Sequence, residues 1–242
     1  MNSIRKISVM SGALFIIATV AVLLAGALEP DLTGTDYLTQ VSANVNQVAG
    51  GALCYLIAAF GSVGVAVALY PVLKERSAGL ALGSVVFRTI EAVMYMIAVV
   101  SLLSVLSLGQ QITSTGGADR ALLQAVGNSL LSLRQHANVA GVFAFSLGAL
   151  LYYSLFFQTR LIPRWLSGWG IVAIVAMLAA CVLALFSDSP VTGYVLLALP
   201  IAVQEMVMAI WLIARGFNEN ALDAGSTTRP ETSRHSPTAV NA

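Results

Sequence analysis

Long apolar stretches separated by short polar segments dominate the chain. Six of the stretches hold about 20 or more mostly apolar residues, the length that an α-helix needs to cross the ~30 Å hydrocarbon core of a bilayer. They lack the two-residue alternation of apolar and polar positions that is typical of a transmembrane β-strand. The pattern therefore predicts an all-α bundle of six membrane-spanning helices, at residues 7–28, 48–73, 80–108, 137–158, 165–186 and 192–214.

Composition narrows the class of protein further. Of the 242 residues, 58% are hydrophobic and only 10% are charged, whereas a soluble domain is roughly 45–50% apolar and about 25% charged. So few polar side chains cannot cover a water-facing surface, which argues against a soluble enzyme and against a disordered chain. A net charge of +1 offers no broad field for nucleic acid. We therefore expect the lipid bilayer, and no nucleic acid, as the partner of this surface.

The distribution of basic residues predicts the orientation of the helices. Nine Lys and Arg side chains fall at one end of the six spans, and only Arg120 and Arg134 fall at the other. The positive-inside rule places the end with more basic residues in the cytoplasm. Both termini are then cytoplasmic, in the inner cell membrane. We expect residues 1–218 to form one membrane domain and residues 219–242, which are rich in Ser, Thr and Pro, to form a disordered cytoplasmic tail.

The first apolar stretch admits an alternative interpretation. Arg5 and Lys6 precede a run that ends in Ala25-Gly26-Ala27, a pattern similar to a cleavable signal peptide. The run is about twice as long as the apolar region of a typical signal peptide, so a retained first helix is the preferred interpretation. Cleavage would instead leave five helices.

Residues 118–135 predict an amphipathic helix before the fourth span. Its apolar stripe consists of Leu122, Val126, Leu130 and Leu133, spaced by three or four positions. One interpretation is a lid over a cavity that opens to the outside. The preferred interpretation is an interfacial helix that leads into the span.

Three ionisable residues lie well inside predicted spans: Arg88 and Glu91 in the third, and Glu205 in the sixth. A charge at the bilayer centre costs about 2.5–3.5 kcal/mol on insertion scales, so these side chains should face the protein interior and find partners. Arg88 and Glu91 are three positions apart on one helix face and can pair. By helical rise, all three lie roughly 12–16 Å from the basic end, so they can meet if the two helices are neighbours.

The charges of these three side chains do not balance. One arginine and two glutamates leave a single excess negative charge, which a low dielectric disfavours. We therefore expect one glutamate to hold a proton near neutral pH, or a cation or cationic ligand to neutralise the site. Arg88, Glu91 and Glu205 are the candidate binding residues, together with Tyr95, which follows on the same face of the third span and would hydrogen-bond the occupant.

Other reactive residue types give weaker signals. His136, at the outer start of the fourth span, is a candidate pH-responsive group at the outer mouth, although a polar cap of the span is the preferred interpretation. No His/Cys spacing of a metal or haem site is present in the sequence, so neither a metal nor another cofactor is expected. Hydrolase and metalloprotease motifs are also absent, which makes an enzyme less favoured than a binding protein.

Several short motifs connect the chain to a known family. They are Arg5 with Lys6, residues 87–92 around Arg88 and Glu91, His136, residues 160–166, Trp169 with Gly170, and Glu205. Through these residues, over about residues 5–218, the chain resembles bacterial integral membrane proteins grouped as domain of unknown function family 4386. The resemblance implies a six-helix inner-membrane protein and supplies no agreed activity.

Three classes of function remain. The leading hypothesis is a non-catalytic one, in which a small molecule, an ion or a proton is bound or transported at the Arg/Glu cluster. The alternatives are a structural or partner-binding membrane subunit and, less favoured, an intramembrane enzyme with a glutamate as general base. A homodimer is a candidate assembly, because six helices with short loops are few for a lone transporter. The small residues that recur in the fourth and fifth spans suit a dimer interface and internal packing equally well.

Overall fold

The computed structural model is all-helical over the residues that it describes, which are 3–32, 34–112, 117–187, 190–218 and 220–222. The elements are α1 (Ser3–Leu28), α2 (Tyr37–Ala43), α3 (Val45–Leu73), α4 (Ala78–Ile112), α5 (Gly117–Thr159), α6 (Arg164–Ser187), a 3₁₀ turn (Val191–Tyr194) and α7 (Val195–Ala214). Six of these helices, all except α2, are long and apolar enough to cross a membrane. The predicted six-span all-α architecture is thereby confirmed, while the orientation stays a prediction. Apart from residues 220–222, the predicted tail lies outside the described residues.

The six long helices form a closed ring in chain order. Helix α1 packs against α3 and α7, α4 packs against α3 and α5, and α6 packs against α5 and α7. Each helix therefore has one side facing the outside and one side facing the centre of the ring. This arrangement explains why exposed apolar side chains occur along every long helix, as expected where lipid is the solvent.

One end of the ring, which we call the basic end, joins the start of α1, the end of α7 and the turn between α5 and α6. Ser8 donates a hydrogen bond of 2.7 Å to the carbonyl oxygen of Leu212, and Arg5 donates to the same carbonyl at 3.2 Å. The backbone N–H of Asn218 donates to the carbonyl oxygen of Leu161 at 2.9 Å. The described basic side chains at this end are Arg5, Lys6, Lys74, Arg76, Arg160, Arg164 and Arg215.

The opposite end extends well past the six-helix ring. Helix α5 has 43 residues, which corresponds to about 65 Å and is roughly twice the thickness of the hydrocarbon core. Its first turns pack with the end of α4 and with α2, whose Tyr37, Leu38 and Val41 are buried in a small second core. The hydroxyl of Tyr37 donates to Oδ1 of Asn128 at 3.0 Å, and burial raises the pKa of this phenol.

The amphipathic segment at 118–135 is neither a lid nor a separate interfacial helix, because it is continuous with the fourth span. No proline interrupts the sequence between 117 and 159, so nothing breaks the helix where the two predicted elements meet. The predicted apolar stripe is mostly exposed, at Leu122, Val126 and Leu133. The opposite side of the helix, which includes the buried Gly127, packs against α2 instead.

Small residues allow the helices of the ring to approach closely. A Cβ added at Gly12 would lie 2.7 Å from the carbonyl oxygen of Ala209, so α1 and α7 meet with almost no space between them. Gly148 of α5 abuts Phe87 of α4 in a similar way. In α6, Ala180 is fully buried. Gly12, Gly148 and Ala180 therefore serve packing inside the ring.

Candidate functional site

The ionisable residues of the third and sixth predicted spans lie together at the centre of the ring. Arg88 is 4% exposed, Glu91 is 3% exposed and Glu205 is 8% exposed. Arg88 and Glu91 project from α4, and Glu205 projects from α7. These two helices are not among the pairs that pack side by side, so the residues meet across the interior rather than between neighbouring helices.

The guanidinium of Arg88 bridges the two carboxylates. Its Nη1 donates to Oε2 of Glu91 at 3.1 Å, and its Nη2 donates to Oε1 of Glu205 at 3.3 Å. The long side chain of arginine and the fork of its donors make this span across the ring feasible. The fork then binds two carboxylates that come from different helices, rather than both oxygens of one carboxylate.

Two hydroxyl groups complete the site and were missed by the sequence analysis. Ser62 of α3 accepts from Nη1 of Arg88 at 3.0 Å and donates to Oε2 of Glu91 at 2.6 Å. Tyr152 of α5 accepts from Nη2 of Arg88 at 2.8 Å and donates to Oε1 of Glu205 at 3.4 Å. We call Ser62, Arg88, Glu91, Tyr152 and Glu205 the central cluster, which draws on four of the six long helices.

Only one of the two missed hydroxyls carried a signal in the sequence. Tyr152 and Tyr153 form an adjacent pair of tyrosines inside an apolar span, where each hydroxyl needs a partner. Ser62 is a single serine among small residues, which is ordinary in a membrane helix. Its role depends on a contact with a residue 29 positions away, which no local pattern reveals.

The electrostatics of the central cluster follow from its composition and burial. Two carboxylates face one guanidinium, and the Phe145 ring lies 4.4 Å from Cζ of Arg88 as a further, uncharged partner. Each carboxylate uses only one oxygen in these contacts, and the other oxygen has no hydrogen bond with a described residue. With both carboxylates ionised, one negative charge would be uncompensated in a low dielectric, which strongly favours uptake of one positive charge.

A family model described as Domain of unknown function (DUF4386) matches residues 10–216. The chain belongs to this family. The matched range contains the whole central cluster. No curated protein and no solved structure matches the chain. The DUF4386 family carries no stated activity, so the site itself must supply the functional conclusion.

In this DUF4386 protein, a second polar group extends from the central cluster toward the basic end. Tyr153, whose ring lies 4.5 Å from that of Tyr152, donates to Oε1 of Gln204. Gln204 in turn donates to the carbonyl oxygen of Leu166 at 3.0 Å. Gln204 is adjacent to Glu205 but points in another direction around α7, as the 100° rotation between successive helical residues requires.

A third polar group lies toward the opposite end. Arg134 of α5 is 9% exposed and forms an ion pair of 2.5 Å with Glu29, which follows α1. Its guanidinium lies 5.6 Å from the ring of Tyr55, and Tyr55 contacts the ring of Tyr95 at 6.2 Å. The distribution of basic residues placed Arg134 at this end, but no local pattern indicates its pairing with Glu29, since the two residues are 105 positions apart.

Two candidate residues stand apart from the central cluster. Tyr95 is half-buried and contacts Tyr55, but none of the cluster's hydrogen bonds involves it. His136 is exposed, and its Nδ1 lies 2.7 Å from the carbonyl oxygen of Ser132 in the preceding turn of the same helix. Across the described ranges, no three His, Cys, Asp or Glu side chains are grouped as metal ligands.

Proposed function

We propose that this protein is a multi-pass protein of the bacterial cytoplasmic membrane that binds and transfers a proton at the central cluster. The proposal includes cytoplasmic termini, because the basic end holds most of the Lys and Arg side chains. The observation that carries it is the pair of buried carboxylates, Glu91 and Glu205, that share the single guanidinium of Arg88.

A proton suits this arrangement better than a larger occupant. The central cluster is already closed by direct hydrogen bonds of 2.6–3.4 Å, so a small molecule would have to displace Arg88 or Tyr152. A calcium ion takes 6–8 oxygen ligands and a magnesium ion is octahedral, whereas the cluster offers two carboxylates beside a competing cation. A proton needs no added volume and can occupy an oxygen that has no other partner.

Polar side chains on either side of the central cluster support transfer as well as binding. Tyr153 and Gln204 continue toward the basic end, and Tyr95, Tyr55 and Arg134 continue toward the opposite end. Intramembrane chains of ionisable and hydrogen-bonding residues mark proton pathways in pumps and transporters. The other buried polar side chains among the described residues are single hydroxyl groups, of serines such as Ser11 and Ser146 and of Thr19, so we expect a proton that crosses the ring to follow the tyrosine, glutamine and arginine side chains.

Difference infrared spectroscopy on the purified protein tests the binding step. We expect a protonated carboxyl band at neutral pH that is lost in Glu91→Gln or in Glu205→Gln. The band should persist in Glu75→Gln, which removes an exposed carboxylate near the basic end and serves as the matched control. Ionisation of both buried carboxyls below about pH 5, with no cation present, would contradict the proposal.

Proton flux into liposomes tests the transfer step. We expect wild-type protein to increase proton entry driven by an imposed membrane potential, and both buried-glutamate variants to remove that increase while Glu75→Gln retains it. A structural subunit is the second candidate, favoured by the closed network that ties four helices together. In that case all variants would show the same background flux, and the buried-glutamate variants would differ from the control only in stability. Assembly as a homodimer stays a prediction on which neither test depends.

A further inference from the structure

A pocket of about 590 Å³ opens at the basic end, and none of its lining residues belongs to the central cluster. The turn between α5 and α6 forms one wall and the end of α7 forms the other, and the bond between Asn218 and the carbonyl oxygen of Leu161 holds the walls together. Its lining includes Arg160, Arg164 and Arg215. No acidic side chain among the described residues lines it.

The arginines of the basic end fall into two groups. Arg5 and Arg76 are used structurally, since each donates to backbone carbonyl oxygens at the ends of other segments. The side chains of Arg160, Arg164 and Arg215 are exposed and form neither a hydrogen bond nor an ion pair with any described residue. Arg164 makes only a ring contact, with Cζ 5.5 Å from the centre of Phe157. With respect to the described part of the chain, three guanidinium groups at one pocket therefore keep their donors available.

The backbone at Arg160 gives a second, independent observation. Its φ is +58°, and it is the one described non-glycine residue with a positive φ. Glycine usually occupies this position after a helix, because a side chain there is strained by roughly 1–2 kcal/mol. An arginine in this conformation places a guanidinium at the pocket at an energetic cost that glycine would avoid.

The level of the pocket along the bundle indicates what would enter it. Trp211 lines the pocket, and Trp165, next to Arg164, is 56% exposed on the ring's outer surface. Tryptophan side chains concentrate at the level of the lipid headgroups. Arginine binds phosphate through two parallel hydrogen bonds, and basic pockets between membrane helices recognise anionic headgroups.

From these observations we propose that the pocket lined by Arg160, Arg164, Arg215 and Trp211 binds a phosphate group, which the adjacent membrane supplies as the headgroup of an anionic phospholipid. The volume is within the range of small-ligand sites and exceeds what a bare phosphate ion would fill. This site is separate from the central cluster and does not depend on the function proposed for it.

Native mass spectrometry of the detergent-extracted full chain tests this site by titration with phosphatidylglycerol. Phosphatidylcholine with the same acyl chains measures binding that does not depend on net charge, and glycerol phosphate in the buffer measures binding of a soluble phosphate. The test variant is Arg164→Gln with Arg215→Gln. The matched control is Lys6→Gln with Lys74→Gln, which removes two charges from the same end through exposed side chains outside the pocket.

We expect phosphatidylglycerol to bind the wild type more tightly than phosphatidylcholine does. Phosphatidylglycerol should bind the arginine variant roughly 30-fold more weakly than the wild type, which is about fivefold for each of the two charges removed. The lysine control should retain wild-type binding. The variant Arg160→Gly should weaken binding without loss of stability, because it relieves the strained backbone.

Binding of glycerol phosphate with the same variant pattern, but no preference for phosphatidylglycerol, would support a phosphate site supplied from solution. Equal weakening in both double variants, or no binding above the phosphatidylcholine level by either phosphate probe, would overturn the proposal.

Discussion

Replacement of Arg88 by glutamine provides the most direct test of the charge imbalance in the central cluster. Arg88 donates to Ser62, Tyr152 and Glu205 on three other helices and to Glu91 on its own. Hydrogen bonds between membrane helices contribute about 0.6 kcal/mol each on average, so the three interhelical bonds alone account for roughly 2 kcal/mol. Removal of one partner of a buried ion pair costs about 3–5 kcal/mol, because the remaining charge is uncompensated. We therefore expect Arg88→Gln to lower the free energy of unfolding by about 3–5 kcal/mol.

The triple variant Arg88→Gln, Glu91→Gln, Glu205→Gln separates the effect of the lost hydrogen bonds from the effect of the uncompensated charge. It lacks the interhelical bonds of the guanidinium but has no buried charge, so it should recover about 1–3 kcal/mol relative to Arg88→Gln alone. Unfolding in mixed micelles of increasing denaturing detergent, followed by the fluorescence of the three tryptophans, measures both values. Lys6→Gln, at the exposed basic end and outside the pocket, controls for the loss of a positive charge. A triple variant that is as unstable as Arg88→Gln would refute the charge-imbalance explanation.

Three further predictions concern packing and the end opposite the basic one. Gly12→Ala should destabilise the fold by about 1–3 kcal/mol in the same unfolding assay, because the added Cβ meets backbone of α7, while Gly26→Ala, where nothing lies within 4 Å, should not. Replacement of Glu29 alone should lower the free energy of unfolding more than replacement of Glu29 and Arg134 together. A double-mutant cycle should give a coupling of about 1 kcal/mol for this partly exposed pair. Burial raises the pKa of Tyr37, so the stability it provides should be complete below about pH 10 and lost as the pH rises through its folded-state pKa. Ultraviolet titration of the phenolates should therefore lose one transition above about pH 10 in Tyr37→Phe, and the alkaline loss of stability should become shallower; an unchanged curve would contradict this.

Local patterns along the sequence are enough to predict the class of the protein, the number of spans and the ends of most helices. Spans such as 48–73 and 192–214 agree with α3 and α7 within a few residues, because apolar length is a local property that the bilayer thickness makes decisive. The sequence also identified Arg88, Glu91 and Glu205, because a charge inside an apolar span is conspicuous without any knowledge of its neighbours. The family resemblance, confirmed over residues 10–216, rests on the same local motifs.

Which of these residues are in contact depends on how the helices pack in three dimensions. Arg88 and Glu205 are 117 positions apart and meet across a ring whose closure depends on close packing between helices such as α1 and α7. Ser62 and Tyr152 enter the central cluster for the same reason, whereas Tyr95, which helical spacing placed on the polar face of α4, contacts Tyr55 instead. Helical periodicity states which residues share a face of one helix. Which faces meet, and at what depth, depends on the packing of small residues against neighbouring backbones, and that information is not contained in any single segment.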